Sequence, residues 1–140
     1  MKIFVDVNIF IDIQRKRKGW KESFAVIKTV LDGVNEGYIS ALTPIIIYFL
    51  RRRITSEENA RRETQDLTDG FNIVDLTKDI IREALKEERI GDFEDAIQFH
   101  SAKKVANVFI TRNKVDYMKI ANELEVLTPE EFLKKVEHCS

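Results

Sequence analysis

Short apolar runs alternate with longer stretches of helical spacing along the whole chain. Ile3-Phe4-Val5, β-branched and aromatic, reads as a buried strand, and the apolar positions after Asp6-Val7-Asn8 recur at helical spacing. Phe24, Ile27 and Leu31 mark the inner face of a second helix, ended by Gly33 or Gly37. Tyr38-Ile39-Ser40-Ala41 predicts a second strand. Thr43 as a cap, with Pro44 in the first helical position where a missing N–H costs nothing, opens a helix running to about Ile54. Ser56 opens a polar helical segment reaching Asp66, Phe71 to Val74 forms a strand after Gly70, and Thr77 caps a helix carrying Ile80, Ile81, Ala84 and Leu85. A helix starting at Gly91-Asp92 aligns Phe93, Ala96, Ile97 and His100 on one face and leads into the strand Val108 to Thr111. Val126-Leu127-Thr128 and a helix from Pro129 to about Val136 close the pattern.

This order of elements predicts an α/β domain, a mostly parallel sheet with helices on both faces. With 140 residues the chain is the size of one domain, 1–140, and can bury a core without staples. Composition agrees: 44% hydrophobic and 34% charged residues suit a globular protein. The single cysteine, Cys139, excludes an internal disulfide framework or a cysteine zinc site and points to a reducing, cytoplasmic setting. The first residues, charged at Lys2 and Asp6, predict no secretory leader. The apolar run Pro44 to Leu50 stops at Arg51-Arg52-Arg53, far short of the roughly 20 residues that span a bilayer. Because 23 basic residues balance 24 acidic ones, nucleic acid would have to be gripped by local patches rather than by net charge.

Candidate chemistry lies in the acids. In open parallel sheets ligands bind beyond the carboxyl ends of the strands, where Asp6 and, past Thr111, Asp116 are expected. Asp92 and Asp95, at the opening of a helix, are neighbours on its surface and can supply a further wall. Such a cluster suits Mg²⁺ or Mn²⁺, hard cations that take oxygen ligands and support phosphodiester hydrolysis. Aspartates also sit at strand ends and helix starts simply as caps, and for Asp92 this is the stronger alternative.

Three blocks, Phe4-Val5-Asp6-Val7-Asn8-Ile9-Phe10, Asp92-Phe93-Glu94-Asp95-Ala96 and Phe109-Ile110-Thr111-Arg112-Asn113-Lys114-Val115-Asp116-Tyr117, together resemble the PIN-domain family, which includes the VapC-type ribonuclease toxins of toxin–antitoxin pairs. The resemblance spans nearly the whole chain. It implies a PIN-like three-layer fold and a metal-dependent endoribonuclease in which Asp6, Asp95 and Asp116 hold the ion and its attacking water, with Asp92 beside them. It further implies RNA as substrate and a small antitoxin as partner. Asn8 and Asn113 would steady the shell, although Asn8 serves equally well as a helix cap. One departure stands out. Where the family usually places a glutamate, three residues beyond a Ser or Thr in the helix after the second strand, this chain has Ile46, which cannot coordinate an ion. Val7 stands where the family often has a hydroxyl residue, a milder loss.

Other groups carry weaker expectations. Arg112 is read as a phosphate contact, and Arg15-Lys16-Arg17-Lys18 beside Trp20 as a solvated helix end rather than a binding groove. His100 is read as a packed core histidine and His138 as a tail residue. The helix from Pro44 to Ile54, apolar nearly all around, suits a homodimer interface rimmed by Arg51-Arg52-Arg53. Two rivals to the nuclease stay open: a PIN-like binding module that lost catalysis with the glutamate, and a phosphohydrolase with Asp6 as nucleophile. Asn8 speaks against the second, since such enzymes generally want a second aspartate at that position.

Overall fold

β1 (Lys2–Val5) lies at the centre of a five-stranded sheet whose order is β3-β2-β1-β4-β5, with β2 at Glu36–Ser40, β3 at Phe71–Val74, β4 at Val108–Ile110 and β5 at Glu125–Leu127. All four pairings are parallel, so the expected mostly parallel sheet is wholly parallel. The computed structural model describes residues 1–139, with side chains through Glu137, so the expectations for His138 and Cys139 lie outside the described side chains.

Alternation along the central strands sorts the core into two layers. Ile3 and Val5 of β1 and Val108 and Ile110 of β4 face one side, and Phe4 and Phe109 face the other. On the first side these strands meet Ile9 and Phe10 of α1 (Val7–Arg15), Val26, Ile27 and Val30 of α2 (Trp20–Leu31), Ile47 of α3 (Leu42–Arg52) and Phe132 of α7 (Pro129–Cys139). On the second side they meet α5 (Lys78–Lys86), α6 (Phe93–Val105) and a 3₁₀ helix at Lys114–Ile120. Each of these large side chains contributes roughly 1.5–3 kcal/mol by leaving water. The polar helix α4 (Glu57–Thr68) packs against α3 and starts where expected, with Ser56 accepting from the Asn59 N–H at 3.1 Å. Thr77 caps α5 in the same way.

Three helix expectations are corrected. The inner face of α2 is Ser23, Val26, Ile27 and Val30; Phe24 and Leu31 are 41% and 46% exposed, a rotation that lets Ser23 serve Arg112. α3 starts at Leu42, whose N–H is taken by the Ser40 hydroxyl at 3.1 Å, so Thr43 lies inside the first turn instead of capping it. In α6 every residue from Ala96 to Ala102 is buried, while Phe93 is exposed, because the helix is packed against α5 as well as against β1 and β2. No helix among the described residues is long and apolar enough to cross a membrane.

Candidate functional site

The strand order reverses direction between β1 and β4: the chain winds outward through β2 and β3, then returns to lay β4 on the other side of β1. Ligands of doubly wound sheets bind at the carboxyl ends of the strands flanking such a reversal. There the register pairs Val5 with Ile110, the Asp6 N–H donates to the Ile110 carbonyl at 3.0 Å, and Asp6 stands beside Thr111.

Asp6 occupies the N-cap of α1 but makes no side-chain cap bond, so its carboxylate is free for another use. It is 1% exposed. Oδ2 accepts from the Thr111 hydroxyl at 2.8 Å and from Asn8 Nδ2 at 3.1 Å, with the Tyr117 hydroxyl 3.4 Å away, whereas the buried Oδ1 has no hydrogen-bond partner. A buried carboxylate oxygen left without a donor is costly unless something positive meets it. Burial first, then the nearby charges of Asp95 and Glu94, push the Asp6 carboxyl up to about 7 against the opposing Thr111 hydroxyl and Val7 N–H.

Asp95, in the first turn of α6, is lifted to about 6, first by desolvation and then by Asp92, Asp116 and Glu94, with the Tyr117 hydroxyl opposing. Glu94 is raised by its own desolvation and by Asp92. The acids of three separate elements therefore feel one another across this end of the sheet. They do not form a ready cage: among the described residues no three carboxylate, histidine or cysteine side chains share one point. Asp116 sits exposed on the 3₁₀ helix, with its charge felt at Asp95. Asp92 acts as the N-cap of α6, its Oδ2 accepting from the Asp95 N–H at 3.1 Å.

Asn8 resolves in favour of orientation over capping. Its Nδ2 spans Asp6 Oδ2 and the Thr111 hydroxyl, at 3.1 and 3.3 Å, while its Oδ1 accepts from the Arg112 N–H at 3.3 Å. Asn113 contributes its backbone: its N–H donates to Thr111 Oγ1 at 3.1 Å, and its side chain is exposed. Ile46 is half-buried and belongs to neither core cluster.

Sequence reasoning overlooked Thr111 and Tyr117. Thr111 was visible only as the end of an apolar strand, yet a hydroxyl at the end of the strand paired with β1 is the signal that could have found it. Tyr117, fully buried against Phe109 with ring centroids 4.7 Å apart, carries its hydroxyl to within 3.4 Å of Asp6 and 3.5 Å of the Asp95 carbonyl oxygen. Burial and the two acids push its phenol well above the usual range, so it stays a neutral donor.

The Arg112 guanidinium is taken up by Asp12, Ser23, Glu130 and the Gly19 carbonyl. His100 is buried as expected, but between acids rather than hydrocarbon alone: Nε2 is 3.0 Å from Glu87 and Nδ1 3.4 Å from Glu83. The basic run after α1 is exposed as expected, with Lys16 resting 5.9 Å above the Trp20 ring. A surface cleft of about 600 Å³ beside β5 includes none of the aspartates in its lining.

The chain belongs to the PIN-domain family, whose sequence model matches residues 2–115. The match ends one residue before Asp116. Among solved structures, the chain is similar to VapBC2 from Rickettsia felis bound to a DNA fragment from their promoter, at 13% identity and a TM-score of 0.68, over 91% of this chain and 98% of that one. It is similar to a toxin–antitoxin complex from Klebsiella pneumoniae, at 25% identity and a TM-score of 0.65, over 91% and 97% of the two chains. VapBC-1 from nontypeable Haemophilus influenzae is similar at 18% identity and a TM-score of 0.66, over 93% and 99%. No curated protein sequence matches the chain.

Proposed function

We propose that this PIN domain is a Mg²⁺- or Mn²⁺-dependent endoribonuclease acting as the toxin of a toxin–antitoxin pair. The observation that carries this reading is the buried Asp6 carboxylate, held on one oxygen by Thr111 and Asn8 and bare on the other, with Asp95 close enough to raise its pKa. That donor set fits a hard cation, since Mg²⁺ keeps several waters and needs only one or two direct carboxylates, here Asp6 and Asp95. When bound, the ion supplies a polarised phosphoryl oxygen and a water of lowered pKa. Thr111 and Asn8 hold and aim Asp6, the Thr111 hydroxyl opposing its uptake of a proton, Tyr117 donates a neutral hydroxyl between the two acids, and Asp116 stays at the solvent side of the site. The Klebsiella relative, a toxin–antitoxin complex, supports an antitoxin as partner.

The test is calorimetry with Mn²⁺ together with cleavage of a single-stranded RNA, run on wild type and Asp6→Asn. Metal binding and cleavage that both vanish in Asp6→Asn are expected. Ile46, in place of a carboxylate, favours a second reading, a PIN-like module that binds RNA or protein without cutting it. A wild-type chain that binds RNA yet neither binds Mn²⁺ nor cleaves would put that reading ahead.

A further inference from the structure

We infer that Arg112 is a positioning residue that locks the hydrogen-bond network behind Asp6, an inference that rests on Asp6 being the working carboxylate of the proposed site. Its guanidinium ties three helices and a loop together. Nε lies 3.2 Å from Asp12 Oδ2 on α1, and Nη1 donates to both oxygens of Glu130 on α7 at 2.5 and 2.7 Å. Nη2 donates to Ser23 Oγ on α2 at 2.9 Å and to the carbonyl of Gly19 in the loop between α1 and α2.

The backbone is shaped around this group. Gly19 has φ of +86°, and a Cβ there would stand 2.7 Å from Nη2, so any side chain at this position is strained and also pushes the guanidinium off its acceptors. Asp12 is 5% exposed, and Arg17, its other cationic neighbour, is 4.0 Å away and half in solvent, so Arg112 is the main partner of a buried charge. A fork with five fixed donors can serve four acceptors at once; a lysine ammonium cannot.

The other end of the same residue faces the site. The Arg112 N–H donates to Asn8 Oδ1, Asn8 Nδ2 reaches Asp6 and Thr111, and the Asn113 N–H holds the Thr111 hydroxyl that donates to Asp6. Pinning the Arg112 side chain to α1, α2 and α7 therefore fixes the segment 111–113 against Asn8 and Asp6. The acidic end of the sheet is held from behind by a cation that never meets the substrate.

The first readout needs neither metal nor activity: exchange and chemical shift of the Asn8 side-chain amide in ¹⁵N-labelled, metal-free protein. In Arg112→Lys the Asn8 amide is expected to exchange about tenfold faster or more, with the backbone amide of Phe4 in the central strand unchanged. Where wild type cleaves RNA, kcat should fall tenfold to about a hundredfold at unchanged KM, the mark of misplacement rather than lost binding. If Arg112→Lys does not fold, Ser23→Ala, which removes one uncharged arm, is read in the same way with a smaller increase expected. An unchanged Asn8 amide in a folded variant overturns the inference whatever the activity. A loosened Asn8 amide in a protein whose wild type neither binds Mn²⁺ nor cuts RNA supports the lock and overturns the nuclease instead.

Discussion

The Thr111 hydroxyl donates to Asp6 Oδ2 at 2.8 Å, joining residues 105 positions apart and closing the carboxyl ends of β1 and β4 over one acid. Because this bond favours the charged form, it opposes the burial that lifts Asp6. Thr111→Val is expected to move the Asp6 titration above about 7 and to weaken Mn²⁺ binding. Carboxyl ¹³C NMR titration and calorimetry check this; a lowered Asp6 midpoint in the variant would contradict it.

The raised acids set a pH dependence. Asp6 near 7 and Asp95 near 6 lie above their ordinary 3.8, so without metal the folded chain holds protons that the unfolded chain has already released. The stability this contributes is fully present below about pH 4 and is lost as the pH rises towards about 7, in steps that belong to the pair. Thermal melts in EDTA should therefore fall between pH 5 and pH 8, and Asp6→Asn should flatten the slope and melt higher than wild type at pH 8. Adding Mn²⁺ at pH 8 should restore wild type alone. An Asp6→Asn variant that melts below wild type in EDTA at pH 8 speaks against the strained carboxylate.

Ile46→Glu is expected to tighten Mn²⁺ binding about tenfold, roughly 1.4 kcal/mol, by adding a carboxylate where the family usually has one. Ile46 belongs to neither core cluster, so the exchange should leave the fold standing. Calorimetry and RNA cleavage on Ile46→Glu, with and without Asp6→Asn, decide it. Unchanged affinity in a folded variant would show that position 46 does not reach the ion.

α3 leaves Ile45 50% and Phe49 59% exposed, and Ile54 just beyond it 73%, an apolar strip bordered by Arg52 and Arg53. A homodimer across this strip is expected in sedimentation at micromolar concentration, and Phe49→Glu should give a monomer with an unchanged melting temperature. A monomeric wild type would assign the strip to another partner or to solvent.

Legibility in the sequence divided along physical lines. β1 and β4 were readable because three consecutive β-branched and aromatic residues buried on both faces have few other uses, and Asp6 because it ends such a run. Thr111 and Tyr117 were not, because their importance comes from β4 lying beside β1, a neighbourhood that the order of elements alone does not reveal. The partners of Arg112 were hidden for a related reason: only folding brings Asp12, Ser23 and Glu130 around it. In α6 the face was misjudged because Gln98, His100 and Ser101 are buried alongside Ala96 and Ile97, so polarity no longer marks the outside.

The central place of β1 also governs when the site comes into being. β1 leaves the ribosome ahead of both its neighbours and pairs on one side with residues 36–38 and on the other with residues 108–110, so half of its hydrogen bonding waits for chain made much later. Until then Asp6 has neither the Thr111 hydroxyl nor the Tyr117 phenol, and its carboxylate meets water instead of a buried, charge-crowded pocket. Nascent chains and N-terminal fragments therefore lack the Asp6 pocket, which exists only once the second half of the molecule has folded back onto the first.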